Sequence, residues 1–267
     1  MHTATARIDV VIAVRDMAAT LPAAAESALA QAACRQVLIV DDASNDDSAA
    51  VASALAKAHP GRIRPLRRDL QGGAARARNM AIAASAAPLI AFLDADDVYE
   101  PQALDVAQRV LNDLPDLALV RLALRPVGLP SAYAEHPRFD DAWRQFLFTG
   151  QNMVIRRPIL MAAGGFPEEE VFRTFGGEDG ALSLALTREL RTGTLFDQPG
   201  VRYAFRTGGA TERLLRSHLL GEIPPGLSEA LPEADAVTDR IRARLLAARR
   251  AFEVEPGVVP ITVTWSS

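Results

Sequence analysis

The sequence contains a single cysteine, Cys34, so it can form no internal disulfide and no zinc site built from cysteines. We expect Cys34 to be a small buried hydrophobic residue. Histidines are also few, and the four present are too widely separated to form a recognisable metal-binding motif: His2, His59, His136 and His218. Disulfide-stabilised scaffolds and cysteine-based zinc modules are therefore excluded.

Long hydrophobic runs are missing as well. Charged residues interrupt every apolar stretch well before the length of a membrane span, and residues 1–7 lack the hydrophobic segment of a signal peptide. We therefore expect a cytoplasmic protein without stable insertion in a membrane.

The chain also lacks an excess of basic residues. Its net charge is −4, and residues 1–120 carry 15 acidic against 11 basic side chains. Nucleic-acid binding normally requires the opposite balance, so we expect no polynucleotide partner. Lysine is almost absent, because Lys57 is the only one.

The first 120 residues show a regular alternation of apolar runs and helix-forming segments. The apolar runs predict strands, and they lie at residues 8–14, 37–40, 63–66 and 89–93. Strands that alternate with helices in this way predict an α/β fold, a Rossmann-like and mostly parallel sheet with helices on both faces.

The pattern changes after Leu124. Three prolines in residues 125–137 predict a loop-rich stretch. Patterns typical of strands and helices resume at about residue 146. Apolar residues then recur at helical spacing near the C-terminus, which predicts a long helix over about residues 233–252. We therefore divide the chain into a first part, a smaller second part, and a C-terminal helix with its tail: residues 7–120, 121–220 and 221–267.

Three carboxylates follow the strand at residues 89–93 within four positions: Asp94, Asp96 and Asp97. Ligands of open α/β sheets bind beyond the carboxyl ends of the strands, where carboxylates can hold a divalent metal against phosphate oxygens. The alternative is a solvated turn in which Asp97 or Glu100 caps the next helix. Because three crowded acids repel one another, the pattern favours a metal site.

Two further features concern the same region. Asp41 and Asp42 follow the strand at residues 37–40. Gly72-Gly73 opens a later helix, which carries Arg76 and Arg78. A helix N-terminus attracts anions, but no standard phosphate-binding motif is present. Residues two apart on a helix do not share a face, so one arginine is expected to face the site and the other water.

Gly177-Glu178-Asp179 begins a later helix, because Leu182, Leu186 and Leu190 follow at four-residue spacing. In a first helical turn the helix dipole favours the ionised carboxylate, which is the form that a general base requires. A plain helix cap is the alternative role for Asp179.

Taken in order over about residues 7–210, these elements resemble the family 2 glycosyltransferases of the GT-A type. The matching segments follow the order of the family: Val10-Val11-Ile12, Ile39-Val40-Asp41-Asp42-Ala43-Ser44, Ala77-Arg78-Asn79, Phe92-Leu93-Asp94-Ala95-Asp96-Asp97, Gly164-Gly165-Phe166 and Gly177-Glu178-Asp179. The resemblance implies an inverting enzyme that moves a sugar from a nucleotide-diphosphate donor, typically a UDP-sugar, to an acceptor hydroxyl.

The resemblance also implies roles for particular residues. Asp96 would bind Mn²⁺ or Mg²⁺, and Asp94 would contact the ribose or the metal. Asp179 would be the general base. The other nucleotide-sugar contacts would be Val14, Arg15, Asp41 or Asp42, Arg78 and Ala95, and the acceptor side would include Gly164, Gly165, Phe166 and Glu178. The first part of the chain would then bind the nucleotide-sugar, and the second the acceptor, which is a glycan, a lipid-linked molecule or a small molecule.

Two departures from the family pattern concern the ends of this site. Arg15 stands where the family usually has an aromatic residue near the base, which leaves the identity of the nucleobase open. The histidine that often follows this arginine in the family is missing after Arg206. The nearest substitute is His218, whose sequence surroundings are typical of a packed helix residue.

Two other functions are compatible with parts of the sequence. The Asp94–Val98 segment also fits haloacid-dehalogenase-type phosphatases, but these need a downstream lysine, and Lys57 lies upstream. A non-catalytic sugar-nucleotide-binding or scaffold protein with the same fold would have no reason to keep both Asp179 and Asp96. The arginines of the terminal helix leave open a peripheral position at the inner face of the membrane, and the oligomeric state is also open.

Overall fold

The computed structural model describes residues 7–149, 152–252 and 257–261, without the side chains of residues 149 and 250–252. The strands are β1 (Ile8–Val14), β2 (Cys34–Asp41), β3 (Ile63–Arg67), β4 (Leu89–Asp94), β5 (Val98–Tyr99), β6 (Leu119–Leu122), β7 (Leu124–Val127), β8 (Met153–Arg156), β9 (Arg191–Leu195), β10 (Val201–Ala204) and β11 (Gly257–Pro260). The helices are α1 (Leu21–Leu29), α2 (Ser48–Ala58), α3 (Ala74–Ala84), α4 (Ala103–Asp113), α5 (Ser131–Ala134), α6 (Phe139–Thr149), α7 (Arg157–Ala163), α8 (Glu170–Phe175), α9 (Glu178–Glu189), α10 (Ala210–Leu215) and α11 (Leu227–Phe252).

Within the described residues, eight strands form the main sheet in the order β11-β9-β6-β8-β4-β1-β2-β3. Strand β8 runs antiparallel to both β4 and β6, and the other neighbouring strands are parallel. The α/β fold with a mostly parallel sheet is confirmed. Strands β5, β10 and β7 form a second, three-stranded sheet.

The strands of the main sheet are apolar on both faces because helices cover both. On β1, Ile12 packs into one hydrophobic cluster and Val11 into the other. Helices α1 and α4 bury their apolar sides in the first cluster, and α3, α7, α9 and α11 bury theirs in the second. Strands buried in this way read as continuous apolar runs rather than as alternating ones. The paired strands β2, β1 and β4 are therefore covered by helices on both faces.

The C-terminal helix begins earlier than predicted, at Leu227, and its apolar stripe is a packing face. Val237, Ile241 and Leu245 are buried in the second cluster, whereas the side chain of Phe252 lies outside the described residues. Residues 253–256 and 262–267 of the tail also lie outside the described residues. Strand β6 spans the predicted boundary at residue 120, and that division of the chain stays a prediction.

The prediction of a loop-rich stretch at residues 125–137 was wrong for most of its length. Strand β7 contains Pro126 and pairs in parallel with β10 at the edge of the smaller sheet. An edge strand tolerates proline because one side of its backbone needs no ladder hydrogen bonds. Pro130 directly precedes α5, where its fixed φ is compatible with the start of a helix.

No helix within the described ranges has both the length and the apolar content needed to cross a bilayer.

A buried ion pair fastens β1 to β2 far from the carboxyl ends of the strands. The carboxylate of Asp9 is fully buried and accepts hydrogen bonds from Arg35 Nε at 2.8 Å and Nη2 at 2.5 Å. Ser85 Oγ donates a third hydrogen bond to Asp9 at 2.6 Å. Replacement of Asp9 with alanine leaves two donors without their acceptor, so we expect a loss of about 3 kcal/mol in the free energy of unfolding, measured by urea denaturation.

The variant Arg35→Ala is the matched control for this prediction. Arg35→Ala leaves the fully buried Asp9 carboxylate without its countercharge, whereas the Arg35 side chain that Asp9→Ala leaves behind is 40% exposed and can turn to water. We therefore expect Arg35→Ala to cost at least as much as Asp9→Ala, and a clearly smaller loss for Arg35→Ala would contradict this account of the pair.

Candidate active site

The carboxyl ends of β1, β2 and β4 lie side by side at one edge of the main sheet. Val14 at the end of β1 pairs with Asp41 of β2, and Ala13 pairs with Asp94 of β4. A cleft opens above these ends. Nine of the residues singled out from the sequence line it: Val14, Arg15, Asp42, Arg78, Asp94, Ala95, Asp96, Glu178 and Asp179.

The three carboxylates after β4 form a cluster. Asp94, Asp96 and Asp97 each place one oxygen within 4.8 Å of the other two, and Ala95 between them is fully buried. An all-oxygen set of this kind suits Mg²⁺ or Mn²⁺, which bind carboxylates together with phosphate oxygens. The residues present therefore fit a divalent metal.

Asp97 differs from the other two members of the cluster. It is buried, and its carboxylate accepts a hydrogen bond from the backbone N–H of Ala204 at 2.7 Å. Burial, and next the nearby Asp94, raise the pKa of Asp97 to about 9. The alternative of a helix cap at Asp97 or Glu100 is wrong, because α4 begins at Ala103 with Gln102 in the cap position.

Arg78 connects the Asp cluster to the start of α9. Its buried guanidinium lies 3.3 Å from Asp94 Oδ1 and 3.1 Å from Glu178 Oε1. The same group lies over the ring of Phe166, with 5.2 Å between Cζ and the ring centroid. Arg76 instead lies on the exposed face of α3 and pairs with Glu168. Arg78 is therefore the arginine that faces the cleft.

Asp179 lies in the first turn of α9, across the cleft from β4. Gly177, with φ of 94°, occupies the cap position, and Asp179 is partly buried beside Glu178. Burial, and next Glu178, raise the pKa of Asp179 to about 7, while Arg78 opposes the shift. Burial also raises the pKa of Asp94 to about 6, and again Arg78 opposes the shift. A carboxylate of pKa near 7 is suited to accept a proton at neutral pH.

Arg206 contacts the Asp cluster from the opposite wall. It follows β10, and its Nε lies 2.7 Å from Asp96 Oδ2 although the arginine side chain is mostly exposed. Gly208, with φ of 77°, and Gly209 follow it before α10. The sequence left the role of Arg206 open, and the structure brings its charge to the predicted metal ligand.

The two acids at the end of β2 have different surroundings. Asp42 lines the cleft and accepts hydrogen bonds from the backbone N–H groups of Gly72 and Gly73. Asp41 lies below the cleft, where it accepts from the Ser44 N–H at 3.2 Å and lies 3.5 Å from Arg67. Of the two, only Asp42 is positioned to contact a molecule in the cleft.

Arg15 is hydrogen-bonded to the backbone where the chain leaves β2. Its Nη1 donates to the carbonyl oxygens of Asp42 at 2.9 Å and Ala43 at 3.1 Å. Asp16 and Ala43 both have positive φ, 52° and 56°, which is unusual for residues other than glycine. The planar guanidinium thus forms part of the cleft floor where the family usually has an aromatic ring.

The Gly164-Gly165-Phe166 turn lies behind Arg78 and does not line the cleft. Asn79 fixes this turn, because its side chain accepts from the Phe166 N–H and donates to the Phe166 carbonyl, both at 2.8 Å. A side chain at Gly165 would collide with Asn79, and Phe166 is buried edge-on against Phe92. The turn thus supports Arg78 through Phe166, and its contact with an acceptor stays a prediction.

A second groove, which the sequence did not indicate, also reaches Asp179. Phe146, Phe175 and Arg213 line it together with His218, which is exposed rather than packed. These residues come from four separate elements and share no spacing that could have revealed them. His218 lies in a π-helical turn, Arg216–Leu220, that extends α10.

The α/β fold, the carboxylates beyond β4 and the aspartate at the start of α9 together define the GT-A class of glycosyltransferases. The family model described as Glycosyl transferase family 2 matches residues 9–166. The chain belongs to the family 2 glycosyltransferases.

Two proteins with similar sequences support this assignment. The chain is 36% identical over 205 residues to the succinoglycan biosynthesis protein ExoU of Rhizobium meliloti (strain 1021), a match covering 75% of this chain and 54% of that protein. It is 31% identical over 163 residues to the O-antigen biosynthesis protein RfbC of Myxococcus xanthus, covering 59% of this chain and 12% of that protein. The chain therefore spans about half, or less, of the length of these relatives.

Solved structures show the same fold. The S. aureus TarS 1–349 complex with UDP-GlcNAc superposes with a TM-score of 0.61 at 16% identity, over 92% of this chain and 73% of that chain. The mannosyltransferase PcManGT from Pyrobaculum calidifontis, in complex with GDP-Man and Mn²⁺, gives a TM-score of 0.63 at 20% identity, over 94% of this chain and 76% of that chain.

Proposed function

We propose that the chain transfers a sugar from a nucleotide-diphosphate donor, a UDP-sugar, to an acceptor hydroxyl with inversion at the anomeric carbon. The observation that carries this proposal is the shared cleft, in which the Asp94/Asp96 pair and Asp179 face each other across Arg78. Structures of similar fold hold UDP-GlcNAc or GDP-Man with Mn²⁺, which supports a nucleotide-sugar as the ligand.

Asp94 and Asp96 would hold Mn²⁺ or Mg²⁺, which when bound supplies positive charge for the diphosphate. Arg78 and Arg206 border the same position and add positive charge from the protein. Asp42, Arg15 and Val14 form the part of the cleft farther along β1 and β2, and they would contact the nucleoside.

Asp179 would take the proton from the acceptor hydroxyl. The acceptor oxygen then forms a bond to the anomeric carbon, the bond between that carbon and the diphosphate breaks, and the nucleoside diphosphate leaves with the electron pair. A single in-line displacement of this kind inverts the configuration. The base and the positive charges thus serve opposite ends of one reaction.

A thermal-shift screen of UDP-, GDP- and dTDP-sugars, with and without Mn²⁺, tests the proposed donor. A ligand at about 100 times its dissociation constant stabilises the native state by about 2.7 kcal/mol. For a domain of this size we expect a rise of about 5–10 °C in Tm with UDP-sugar and Mn²⁺, and less without the metal. No shift with any nucleotide-sugar would contradict the proposal, and a shift with GDP-sugars alone would correct the nucleobase.

The pH dependence of transfer tests the base. Because Asp179 must be ionised to accept a proton and its pKa is raised to about 7, we expect kcat/KM to increase about tenfold per pH unit below 7 and to level off above it. The measurement needs saturating Mn²⁺, because Asp94, with its pKa raised to about 6, also becomes protonated at the acidic end. A rate that is flat between pH 5.5 and 7 would argue against a carboxylate base.

A further inference from the structure

A cavity of about 110 Å³ adjoins the Asp cluster, and strands of both sheets contribute to its lining. It shares Asp94, Asp179 and Arg206 with the cleft above β1, β2 and β4. The second groove, which contains Arg213, also shares Asp179 with that cleft but includes no member of the Asp cluster. Of these two hollows beside the cleft, the cavity is therefore the one that borders the proposed position of the diphosphate.

Asn152 lines this cavity and carries a buried oxygen atom without a hydrogen-bond partner. The residue is 2% exposed and directly precedes β8. Its side-chain Nδ2 donates to two backbone carbonyls, those of Leu122 and Leu147, which fixes the orientation of the amide. Oδ1 has no donor among the described residues. Because buried polar atoms are almost always hydrogen-bonded, we expect the donor for Oδ1 to come from whatever fills the cavity.

The other polar groups of the cavity restrict the charge of its occupant. Three carboxyl groups contribute to the lining, those of Asp94, Asp97 and Asp179. Arg206 is the one cation among the described lining residues, and its Nε is already paired with the Asp cluster. The hydroxyls of Tyr203 and Thr211 are hydrogen-bonded to each other. An occupant that brings hydrogen-bond donors and no negative charge fits this lining.

The size and walls of the cavity fit one sugar ring. At about 10–15 Å³ for a single water, a cavity of about 110 Å³ holds roughly seven to eleven non-hydrogen atoms, close to one hexose ring with its hydroxyls. Phe146, Leu124 and Val201 supply apolar surface for the C–H faces of such a ring. An N-acetyl group needs more space than this, and a uronic acid brings a carboxylate against Asp94 and Asp179.

We propose that this cavity binds the transferred sugar and selects a neutral hexose, without an N-acetyl or a carboxyl group. One hydroxyl of the hexose donates to Asn152 Oδ1, and the anomeric carbon lies where the cavity meets the cleft, at Asp94 and Asp179. Asn152 is then a specificity-determining residue for the donor. This assignment rests on the proposed function, because it takes the diphosphate to bind at Asp94 and Asp96.

The affinities of four donors test the selectivity. UDP-glucose and UDP-galactose carry a neutral hexose, UDP-N-acetylglucosamine adds the amide, and UDP-glucuronic acid adds the negative charge. The whole chain is titrated calorimetrically with each donor in the presence of Mn²⁺. We expect the better hexose donor to bind at least tenfold more tightly than the N-acetylated and the acidic donor. Either of those binding within tenfold of the hexose donor would overturn the selectivity.

Deoxy analogues of the preferred donor, each lacking a single hydroxyl, test the role of Asn152. A site built to accept a hydroxyl binds the analogue without it poorly, because its buried acceptor is left unpaired. We expect one deoxy donor to bind wild type at least tenfold more weakly than the parent donor, and to bind Asn152→Ala as tightly as the parent does. The same loss in Asn152→Ala as in wild type would exclude Asn152 as the acceptor of that hydroxyl.

Two controls separate this role from a structural one. Asn152→Ala also removes the hydrogen bonds to Leu122 and Leu147, so its affinity for UDP with Mn²⁺ is measured first and should equal that of wild type. Asn112→Ala, an exposed change near the end of α4, should match wild type with every donor. If Asn152→Ala does not fold, the wild-type series decides, because full affinity for every deoxy donor would overturn the proposal.

Failure of this proposal is distinguishable from failure of the proposed function. If nucleotide-sugars raise Tm but their affinity does not depend on the sugar, the cavity holds water and not the sugar, and the glycosyl transfer stands. If no nucleotide-sugar raises Tm, the proposed function itself fails.

Discussion

Replacement of Asp179 with asparagine is expected to lower kcat by about 1,000-fold while leaving donor binding intact. Asparagine keeps the size and one carbonyl oxygen of aspartate but cannot accept the proton of an acceptor hydroxyl. The Gly180 N–H, which donates to Asp179 Oδ1 at 2.9 Å, keeps an acceptor in the variant. Because Glu178 and Asp179 repel each other, we expect removal of one negative charge to leave the fold as stable as before. The rise in Tm with UDP-sugar and Mn²⁺ should therefore remain within about 2 °C of wild type.

Asp197→Asn is the matched control for this experiment, because Asp197 is an exposed aspartate that does not line the cleft. Its kcat should equal that of wild type. An Asp179→Asn variant with more than about a tenth of wild-type kcat would exclude Asp179 as the base. Wild-type protein that binds donor but shows no transfer and no donor hydrolysis would favour a non-catalytic binding protein.

Replacement of Asp96 with asparagine is expected to weaken Mn²⁺ binding in the presence of UDP by about 100-fold and to lower transfer by at least as much. The variant removes the charged oxygen closest to Arg206, and that mostly exposed arginine can turn to water. Binding is measured from the free Mn²⁺ signal in electron paramagnetic resonance, so the result does not depend on turnover.

Asp113→Asn, an exposed change at the end of α4, should bind Mn²⁺ as wild type does. If Asp96→Asn and wild type bind Mn²⁺ equally, the metal is held elsewhere or not at all. If Mn²⁺ affinity falls but transfer at saturating UDP-sugar does not, the reaction does not depend on the metal.

The main sheet was predictable to the extent that its strands are buried on both faces. Strand β1 is apolar apart from Asp9, β4 is apolar up to its last residue, and acids mark the ends of β2 and β4. Strand β9, with the sequence Arg-Thr-Gly-Thr-Leu, carries no such pattern, and β5 has two residues. Their extended conformation comes from pairing with neighbours distant in sequence, which local propensity does not encode.

The site was predictable where one element delivers the functional residue. Asp94 and Asp96 follow a buried strand, and Asp179 opens a helix, so each position is set locally. Helical periodicity separated Arg76 from Arg78 but gave no sign of which faced the cleft. That choice depends on Phe166 and Glu178, which lie 88 and 100 residues from Arg78 in the sequence.

By itself the sequence determined the α/β class and the positions of the carboxylates at a strand end and at a helix start, because strand burial and helix starts depend on local patterns. Only the tertiary structure decided that Asp97 is buried against Ala204, that Arg206 contacts Asp96, and that Arg213 lines a groove beside Asp179. Those surroundings arise where elements distant in the chain meet. Burial and neighbouring charges, which tertiary contacts create, assign each acid and arginine its role.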